Sequence, residues 1–375
     1  MILAKEYLKS GYIYVEIYNR EDSMKIVIDE KIPYIKETLV KMGHSVTELP
    51  GNTISRENLR EAEALFVRTR TKCNASLLDG TAVRFIGTAT IGYDHIDKEY
   101  CKEHGIVWAN APGCNANAVL QYVESSIFCW MKSKGYCAKD ITLGIVGVGE
   151  IGSRIARWAG NIGIKCLLND PPRASKGETG FCSLDEIAAT CNVITFHTTL
   201  NRSGDFPSWH LADSRFMQKL RNCKLLINAS RGEVVDNKAL LDAIEKGIIE
   251  DVAIDVWEHE PNINLKLLEK AYIATPHIAG YSAEGKLNAS RMVLEAFADF
   301  CKNTSLLPIT ALPTPQQPLI VAESILDGHL KIYSPLDDTT LLKSSPDSFE
   351  DLRNNYILRR EPSAYQFIIN NHKVP

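Results

Sequence analysis

The sequence predicts an α/β protein with two doubly wound parallel-sheet domains and a smaller C-terminal α+β subdomain. Three observations support this prediction. From residue 24 to about residue 300, short apolar runs alternate with segments of helical periodicity, as in parallel sheets with crossover helices. A glycine-rich turn follows one of these runs near the middle of the chain. Residues 307–318 contain four prolines, a composition typical of a linker. They separate the alternating part of the chain from the C-terminal remainder.

The glycine-rich turn predicts a dinucleotide site. An apolar strand at 141–146 leads into Gly147-Val148-Gly149-Glu150-Ile151-Gly152, and a helical pattern follows. In such a site the first glycine makes a tight turn, the second lets a pyrophosphate approach and the third packs helix against strand. The helix N-terminus offers unpaired N–H groups to the phosphates. Because a strand precedes the turn and a helix follows it, we prefer this interpretation to a purely structural turn.

Asp170 favours NAD as the cofactor. It ends the next apolar run, roughly 20 residues after the turn, where an acid accepts the hydroxyls of the adenosine ribose. A carboxylate there would repel the 2′-phosphate of NADP. Arg173, which follows two prolines, is a cation that can pair with a 2′-phosphate, so NADP stays the alternative cofactor.

Composition excludes several classes of function. The formal net charge of −4 argues against nucleic-acid binding. The ten cysteines form no CxxC pair, which indicates reduced thiols in a cytoplasmic protein. No apolar run approaches the roughly 18 residues of a membrane span, and the N-terminus lacks the core of a signal peptide. We therefore expect a cytoplasmic protein without nucleic-acid or membrane partners.

The natural first strand begins at Met24, which makes residues 1–23 an N-terminal extension. We expect this extension to be poorly ordered and translation to begin at Met24. A peptide from residues 1–23 in the native protein, found by mass spectrometry, would contradict that expectation.

Residues 24–115 predict a substrate or lid domain, which residues 281–300, helical from residue 283, complete. Its strands are expected at 26–29, 64–67, 85–87 and 106–108, and a helix at 34–42. Two polar loops, 68–72 and 87–92, follow strands of this domain. Ligands of open α/β sheets bind beyond strand ends, so the cationic loop 68–72 is either an anion site or a solvated loop. Residues 110–113 predict a hinge before a long helix at 115–131.

Residues 116–280 predict a Rossmann-type dinucleotide domain. After the glycine turn, strands are expected at 193–196, 225–228, 252–255 and 271–275. Polar groups follow each of these strands, and the carboxyl ends of parallel strands meet at one edge of the sheet. We therefore expect their loops to converge on one crevice.

Residues 301–375 predict a dimerisation domain. Strand-like runs occur at 330–333 and 366–369, and Asp347 can cap a helix with Glu350 three residues later. No chemical motif is present, and so small a segment has little core of its own. An oligomerisation element is the simplest interpretation.

Arg231, Glu260 and His277 are the candidate catalytic residues. An arginine grips a carboxylate bidentately, and an imidazole with an ordinary pKa of about 6.5 suits proton transfer. Glu260 could accept the other ring N–H and fix the tautomer. Each residue alone could be structural, but together they follow successive strands of one predicted sheet. His95, His197 and His210 are weaker candidates for the base, and no metal-binding motif is present.

Four ordered motifs resemble the D-isomer-specific 2-hydroxyacid dehydrogenases. They are GVGEIG (147–152), INASRGEVVD (227–236), AIDVWEHEP (253–261) and TPHIAGYS (275–282). The resemblance spans about residues 24–300, and the tail LRNNYILRRE (352–361) extends it nearly to the end of the chain. Together with this tail, the passages MKIVIDEKIPY (24–34), GTATIGYDHID (87–97) and HIAGYSAEGK (277–286) resemble one branch of the family more closely. That closer resemblance implies oxidation of 4-phospho-D-erythronate at C2 by NAD, in pyridoxal 5′-phosphate biosynthesis, by a cytoplasmic homodimer.

The resemblance also implies roles for individual residues. Arg231, Glu260 and His277 match the catalytic arginine, acid and histidine of the family. Outside the three glycines, the cofactor-contacting positions are Glu150, Ile151, Asp170, Thr198, Ala229, Asp255 and Gly280. The substrate-contacting positions are Thr69, Thr90 and Tyr281. The family more usually has serine at position 69, and threonine keeps the hydroxyl.

Two alternatives stay open at this stage. The substrate could be 3-phosphoglycerate, glyoxylate or hydroxypyruvate, or the chain could sense a dinucleotide without turnover. The sequence also does not distinguish Arg68, Arg70 and Lys72 as holders of a substrate phosphate.

Overall fold

A computed structural model describes residues 3–9, 12–18, 23–302, 312–370 and 372–374. It divides the chain into two compact units, Met1–Asn115 with Ala283–Pro313 and Ala116–Ser282 with Thr314–Pro375. Among the helices of the described residues, none is both long enough and apolar enough to cross a membrane.

The first unit contains a parallel sheet of five strands in the order β4-β3-β5-β6-β7. The strands are β3 (Lys25–Asp29), β4 (Ser45–Leu49), β5 (Ala64–Val67), β6 (Phe85–Thr88) and β7 (Val107–Ala109). Its helices are Ile35–Lys41, Arg56–Leu59, Ala75–Leu78, Lys98–Glu103 and Ala283–Phe300. The four strands predicted from sequence are confirmed to within one residue at each end. The sequence analysis missed β4, an edge strand in which Ser45, Thr47 and Glu48 are polar and exposed.

The helix Ala283–Phe300 packs on this first sheet, as the sequence analysis expected. Its Phe297 is fully buried, with ring centroids 5.4 Å from Phe66 and 5.2 Å from Phe85. Buried aromatic pairs at these separations contribute about 0.5–1.5 kcal/mol each beyond burial of their area. The apolar face of this helix therefore completes the core of the first unit.

The second unit contains a parallel sheet of six strands in the order β13-β12-β11-β10-β8-β9. The strands are β8 (Thr142–Val146), β9 (Lys165–Asn169), β10 (Val193–Phe196), β11 (Leu225–Asn228), β12 (Asp251–Ile254) and β13 (Ile273–Ala274). Between residues 116 and 282, this unit has the α-helices Ala116–Lys134, Glu150–Asn161, Pro171–Ala174, Leu184–Thr190, Ser214–Lys219, Asn237–Glu245 and Leu265–Lys270. The strand order reverses at β8, between β9 and β10, and ligands of doubly wound sheets bind outside the strand ends at such a point.

The C-terminal segment adds a sheet of three strands, β14 (Leu319–Ala322), β15 (Gln366–Ile369) and β16 (His372–Val374). Its helices are Ile325–Ile332, Pro335–Ser344 and Phe349–Asn354. The predicted strand at 366–369 is confirmed. The predicted strand at 330–333 is wrong, because that short apolar run ends a helix that Ser324 caps; such runs do not distinguish helix from strand. Asp347 is not a cap, since it belongs to a 3₁₀ turn before the last helix.

The C-terminal segment belongs to the dinucleotide unit and does not form a third unit. Leu342 and Phe349 are fully buried in the core that lies against one face of the six-stranded sheet. The Lys343 ammonium donates to the carbonyl of Ala271, 2.6 Å away. The C-terminal segment, which has little core of its own, thus packs into the core of the dinucleotide unit. Residues 307–311 of the predicted linker lie outside the described residues.

The N-terminal extension contains two strands, and its poor order stays a prediction. These strands, β1 (Leu3–Lys9) and β2 (Tyr12–Tyr18), pair with each other in antiparallel register. The second strand, YIYVEIY, is rich in aromatic and β-branched residues, which favour strands. The start of translation at Met24 stays a prediction.

Candidate active site

The glycine turn leads from β8 into the helix Glu150–Asn161. A Cβ on Gly147 would lie 2.7 Å from the backbone of His197, and φ is +88° there. A Cβ on Gly152 would lie 2.1 Å from the Gly147 carbonyl oxygen. A Cβ on Gly149 would meet no described atom within 4 Å. The outer two glycines are therefore required by packing, whereas Gly149 faces open space that a ligand can enter.

Asp170 lies at the end of β9, beside this turn. One carboxylate oxygen accepts from Val148 N–H at 2.8 Å, and the other accepts from Arg173 N–H at 3.0 Å. The Arg173 guanidinium donates to the Val148 carbonyl at 2.6 Å and to Glu178 at 2.9 Å. Each oxygen of Asp170 keeps a lone pair for a ribose hydroxyl. Glu178 pairs with Arg173, the cation that had left NADP as an alternative cofactor, and so offsets its charge.

His197 and Thr198 follow β10 and contain buried polar atoms. Thr195 Oγ1 and His197 Nε2 lie 2.8 Å apart. Within the described ranges, His197 Nδ1 and Thr198 Oγ1 have no hydrogen-bond partner. Unpaired buried groups are rare in folded proteins, so an unpaired hydroxyl beside the glycine turn fits a bound cofactor.

Burial lowers the pKa of His197 to about 3. This histidine is therefore neutral at physiological pH and is a poor general base, as the sequence analysis expected.

Its burial makes stability depend on pH. The unfolded chain protonates His197 near pH 6.5, whereas the folded protein does so only near pH 3. Between these values the unfolded state binds the extra proton, so stability falls as the pH falls below about 6.5. We expect the His197→Asn variant to lose less stability than the wild type between pH 7 and pH 4. Thermal unfolding measured across this range tests it, with the exposed His104→Asn variant as control; equal slopes for all three proteins would contradict the prediction.

His277 and Glu260 form a hydrogen-bonded pair at the edge of the sheet. His277 Nδ1 lies 2.8 Å from Glu260 Oε2, and Glu260 Oε1 accepts from Trp257 N–H at 2.9 Å. Burial opposes ionisation of Glu260, but the hydrogen bond and charge of His277 outweigh it and leave the pKa of Glu260 below its ordinary value. The pair therefore has the geometry predicted for a base and the carboxylate that orients it.

The backbone of His277 adopts a left-handed conformation, with φ of +58°. This region costs a non-glycine residue about 1–2 kcal/mol. Neighbouring contacts must therefore hold His277 in place.

Arg231 lies on the loop that follows β11, beside the loop that carries Glu260. A Cβ on Gly232 would lie 2.0 Å from the Trp257 carbonyl oxygen, so the two loops are in close backbone contact. The Arg231 guanidinium donates to the Ser230 carbonyl at 2.7 Å. The structure thus joins Glu260 and His277 directly and places Arg231 on the adjoining loop.

Asp255, a predicted cofactor contact, is only 1% exposed. One of its oxygens accepts from Thr275 Oγ1 at 2.6 Å and from Ile278 N–H at 2.7 Å. The other accepts from Ala279 N–H at 3.0 Å. Burial raises the pKa of Asp255, although His277 and these hydrogen bonds oppose the shift. The carboxylate therefore organises the turn that contains His277, and its cofactor role stays a prediction.

Arg353 approaches the catalytic pair from the last helix, and the sequence analysis missed it. Its Nη1 lies 3.8 Å from Glu260 Oε2, and its Nε donates to the Tyr281 hydroxyl at 3.4 Å. The only sequence signal was the tail 352–361, which contributed to the resemblance without indicating a role.

The predicted substrate positions of the first unit lie on loops after β5 and β6. Thr69 is exposed. Thr90 Oγ1 donates to the Gly92 carbonyl at 2.9 Å. Arg68 pairs at 3.0 Å with Asp29, whose side chain is fully buried, so Arg68 has a structural role. Arg70 and Lys72, the other two cations of this loop, are exposed.

The two remaining histidines considered as bases have other partners. His95 Nε2 lies 2.9 Å from Thr88 Oγ1, and burial lowers the pKa of His95. His210 Nε2 lies 2.7 Å from Glu258 Oε1. His210, Asp236 and Glu258 form a cluster in which the atoms that could bind a metal ion lie within 4.8 Å of one another. No sequence motif indicated this cluster. Backbone N–H groups of residues 237–239 donate to its two carboxylates.

This fold and site define a dinucleotide-dependent dehydrogenase. The glycine turn lies at the switch point of a parallel sheet, and a paired imidazole follows β13 at the carboxyl edge of the same sheet. Two residues of the site, Glu260 and His277, have the geometry for proton transfer.

Comparisons with known proteins agree with this class. Residues 117–279 match the model of the NAD-binding domain of the D-isomer-specific 2-hydroxyacid dehydrogenases. The chain is 51% identical over 346 residues to the erythronate-4-phosphate dehydrogenase of Bacteroides thetaiotaomicron, covering 92% of this chain and 99% of that protein. It is 43% identical over 356 residues to the Escherichia coli enzyme of the same name, covering 92% and 94%.

Solved structures of related enzymes have the same architecture. The NAD⁺-bound 3-phosphoglycerate dehydrogenase of Entamoeba histolytica superposes with a TM-score of 0.63 at 27% identity, covering 78% of this chain and 99% of that one. The D-lactate dehydrogenase of Aquifex aeolicus, in complex with NAD and lactic acid, gives 0.59 at 25% identity, covering 74% and 95%.

The chain belongs to the erythronate-4-phosphate dehydrogenases, within the D-isomer-specific 2-hydroxyacid dehydrogenases. The predicted family, the NAD cofactor and the dehydrogenase class are thereby confirmed.

Proposed function

We propose that this protein oxidises 4-phospho-D-erythronate at C2 with NAD, giving (R)-3-hydroxy-2-oxo-4-phosphooxybutanoate and NADH. The names of its relatives support this substrate. The observation on which the chemistry rests is the 2.8 Å hydrogen bond between His277 and Glu260 at the carboxyl edge of the dinucleotide sheet. The reaction then belongs to pyridoxal 5′-phosphate biosynthesis.

The residues around the glycine turn fit NAD. The turn itself, the Asp170 carboxylate and the unpaired Thr198 hydroxyl would hold it. When bound, NAD supplies the acceptor for a hydride. We propose further cofactor contacts at Glu150, Ile151, Ala229, Asp255 and Gly280.

The chain's own groups manage the proton and the substrate charge. Arg231 offers a planar fork to the substrate carboxylate. With Nδ1–H donated to Glu260, Nε2 of neutral His277 takes the proton of the C2 hydroxyl as the hydride leaves C2. Glu260 then stabilises the imidazolium that forms. We propose that Thr69, Thr90 and Tyr281 contact the substrate.

A substrate panel tests the proposal. Purified protein is mixed with NAD and with 4-phosphoerythronate, 3-phosphoglycerate or glycerate, and the NADH formed is followed by absorbance. The reductive direction is tested with hydroxypyruvate and glyoxylate. We expect the highest kcat/KM with 4-phosphoerythronate. A higher value with another acid would assign a different substrate, and no turnover with any of them would support a dinucleotide-sensing protein.

We also propose a cytoplasmic homodimer that forms through residues 301–375. Val321 on β14 and Ile357 are 53% and 89% exposed, although both are large apolar residues. Exposed apolar residues that lie together mark protein interfaces, and Leu319, two residues before Val321 on the same strand, is also 49% exposed.

Charges on that surface should separate the subunits. We expect the Val321→Lys/Ile357→Glu double variant to elute at the mass of a monomer in size-exclusion chromatography with light scattering, and the wild type at twice that mass. The control is Leu265→Lys, since Leu265 is 58% exposed on a helix of the dinucleotide domain. A dimeric double variant would contradict the proposed interface.

A further inference from the structure

Arg359 is a buried cation that the proposed reaction does not use. The residue is 8% exposed. Its guanidinium donates to the carbonyls of Ile278 at 3.0 Å, Ala279 at 2.5 Å and Ala118 at 3.0 Å. Its Nε donates to Gln121 Oε1 at 3.0 Å. The Arg359 side chain thus binds the two carbonyls that immediately follow His277. It also binds the beginning of the helix Ala116–Lys134.

The same turn is held from its other side by Asp255. The Asp255 carboxylate accepts from the N–H groups of Ile278 and Ala279, and its backbone carbonyl accepts from His277 N–H at 2.8 Å. An anion therefore binds the donors of residues 278 and 279, while the Arg359 cation binds their acceptors. Charge-assisted hydrogen bonds are stronger than neutral ones, so this arrangement fixes the turn tightly.

His277 needs such support because its backbone lies in the left-handed region, with φ of +58°. A strained conformation persists only where the surrounding structure over-determines it. The direction of the imidazole, and so its 2.8 Å contact with Glu260, depends on that backbone conformation.

We propose that Arg359 is a positioning residue for proton transfer. It acts on His277 through the peptide groups of residues 278 and 279 and does not touch the substrate. This inference rests on the proposed function of His277 as the base. It gives the C-terminal segment a second role, in which the segment fixes the active-site turn of its own chain.

The guanidinium is itself held rigidly. Its Cζ lies 4.3 Å from the centroid of the Tyr333 ring, and Nη1 donates to the Tyr356 hydroxyl at 3.4 Å. A second anchor lies close by, where the Ser282 hydroxyl donates to the buried Glu361 carboxylate at 2.7 Å. Glu361 thus docks the same segment without contacting residues 278 and 279 in any described hydrogen bond, which makes it a matched control position.

Three variants test the proposal by steady-state kinetics. In Arg359→Lys, one ammonium cannot reproduce the planar fork, and in Arg359→Ala the turn loses its cation. We expect kcat to fall on the order of 10²-fold in Arg359→Ala, the effect of a misplaced catalytic group, and less in Arg359→Lys. KM for NAD should change less than kcat, since the glycine turn and Asp170 do not contact Arg359 in any described hydrogen bond, although Gly280 follows the turn that Arg359 holds. Added guanidinium should restore part of kcat in Arg359→Ala, and Glu361→Gln should retain kcat.

An NMR measurement makes the test independent of substrate identity. In histidine-labelled protein without substrate, we expect the His277 ring-proton signal of the hydrogen bond to Glu260 in the wild type and in Glu361→Gln. It should be lost or shifted in both Arg359 variants.

Two results would overturn the positioning role. One is a wild-type His277 signal in a folded Arg359 variant. The other is a loss of kcat no greater than that in Glu361→Gln at equal thermal stability. If Arg359→Ala does not fold, Arg359→Lys decides. Failure of the wild type to oxidise 4-phosphoerythronate would contradict the proposed function and leave the NMR comparison intact.

Discussion

The His277→Asn variant should lose turnover by about 10²–10⁴-fold, the usual contribution of a positioned acid–base group. Asparagine keeps a polar side chain and tolerates the left-handed backbone at position 277 better than most residues. It cannot accept the proton of the substrate hydroxyl. Steady-state assays in both directions measure the loss.

The matched control is His104→Asn, since His104 is exposed in the first unit. That variant should behave like the wild type. A His277→Asn enzyme with near-normal turnover would remove His277 from the proposed mechanism, and His210 would become the next base to test.

Replacing Arg231 should weaken the productive binding of the substrate. Each hydrogen bond between charged groups contributes about 1.5–3 kcal/mol, so loss of a bidentate pair in Arg231→Met should lower kcat/KM by about 10²–10⁴-fold. Arg231→Lys keeps the charge without the planar fork and should lie in between. NAD affinity should be unchanged, because the described contact of the guanidinium is with the Ser230 carbonyl.

Kinetics with varied acid and fixed NAD, together with NAD titrations, measure these effects. Arg221→Met is the control, because Arg221 is exposed in the same unit. An Arg231→Met enzyme with an unchanged KM for the acid and an unchanged kcat would refute the anchoring role.

The sequence predicted the parts of the site that depend on local order. Arg231, Glu260 and His277 follow successive strands, and the carboxyl ends of parallel strands meet at one edge. The structure joins Glu260 to His277 and brings the Arg231 loop against theirs. The glycine turn was predictable for the same reason, since its strand, helix and acid are contiguous.

The contributions of the C-terminal segment could not be predicted in this way. Arg359 binds Ala118 across 241 residues and Ala279 across 80, and no periodicity marks such contacts. Arg353 similarly reaches Tyr281 from 72 residues away. The run at 330–333 was wrongly predicted as a strand because its three apolar residues, Leu330, Ile332 and Tyr333, fit either a strand or the end of a helix. The burial of Asp255 also depends on tertiary contacts that its motif does not reveal.

The link between Asp170 and the glycine turn limits how cofactor preference can be engineered. Removing this carboxylate is the obvious first step toward accepting a phosphorylated ribose. Yet one of its oxygens receives the Val148 N–H at 2.8 Å, so truncation to alanine would also release the loop that must cradle the pyrophosphate. A neutral acceptor of similar length, such as asparagine, would preserve that support. Redesign at this position therefore has to exchange charge without shortening the side chain.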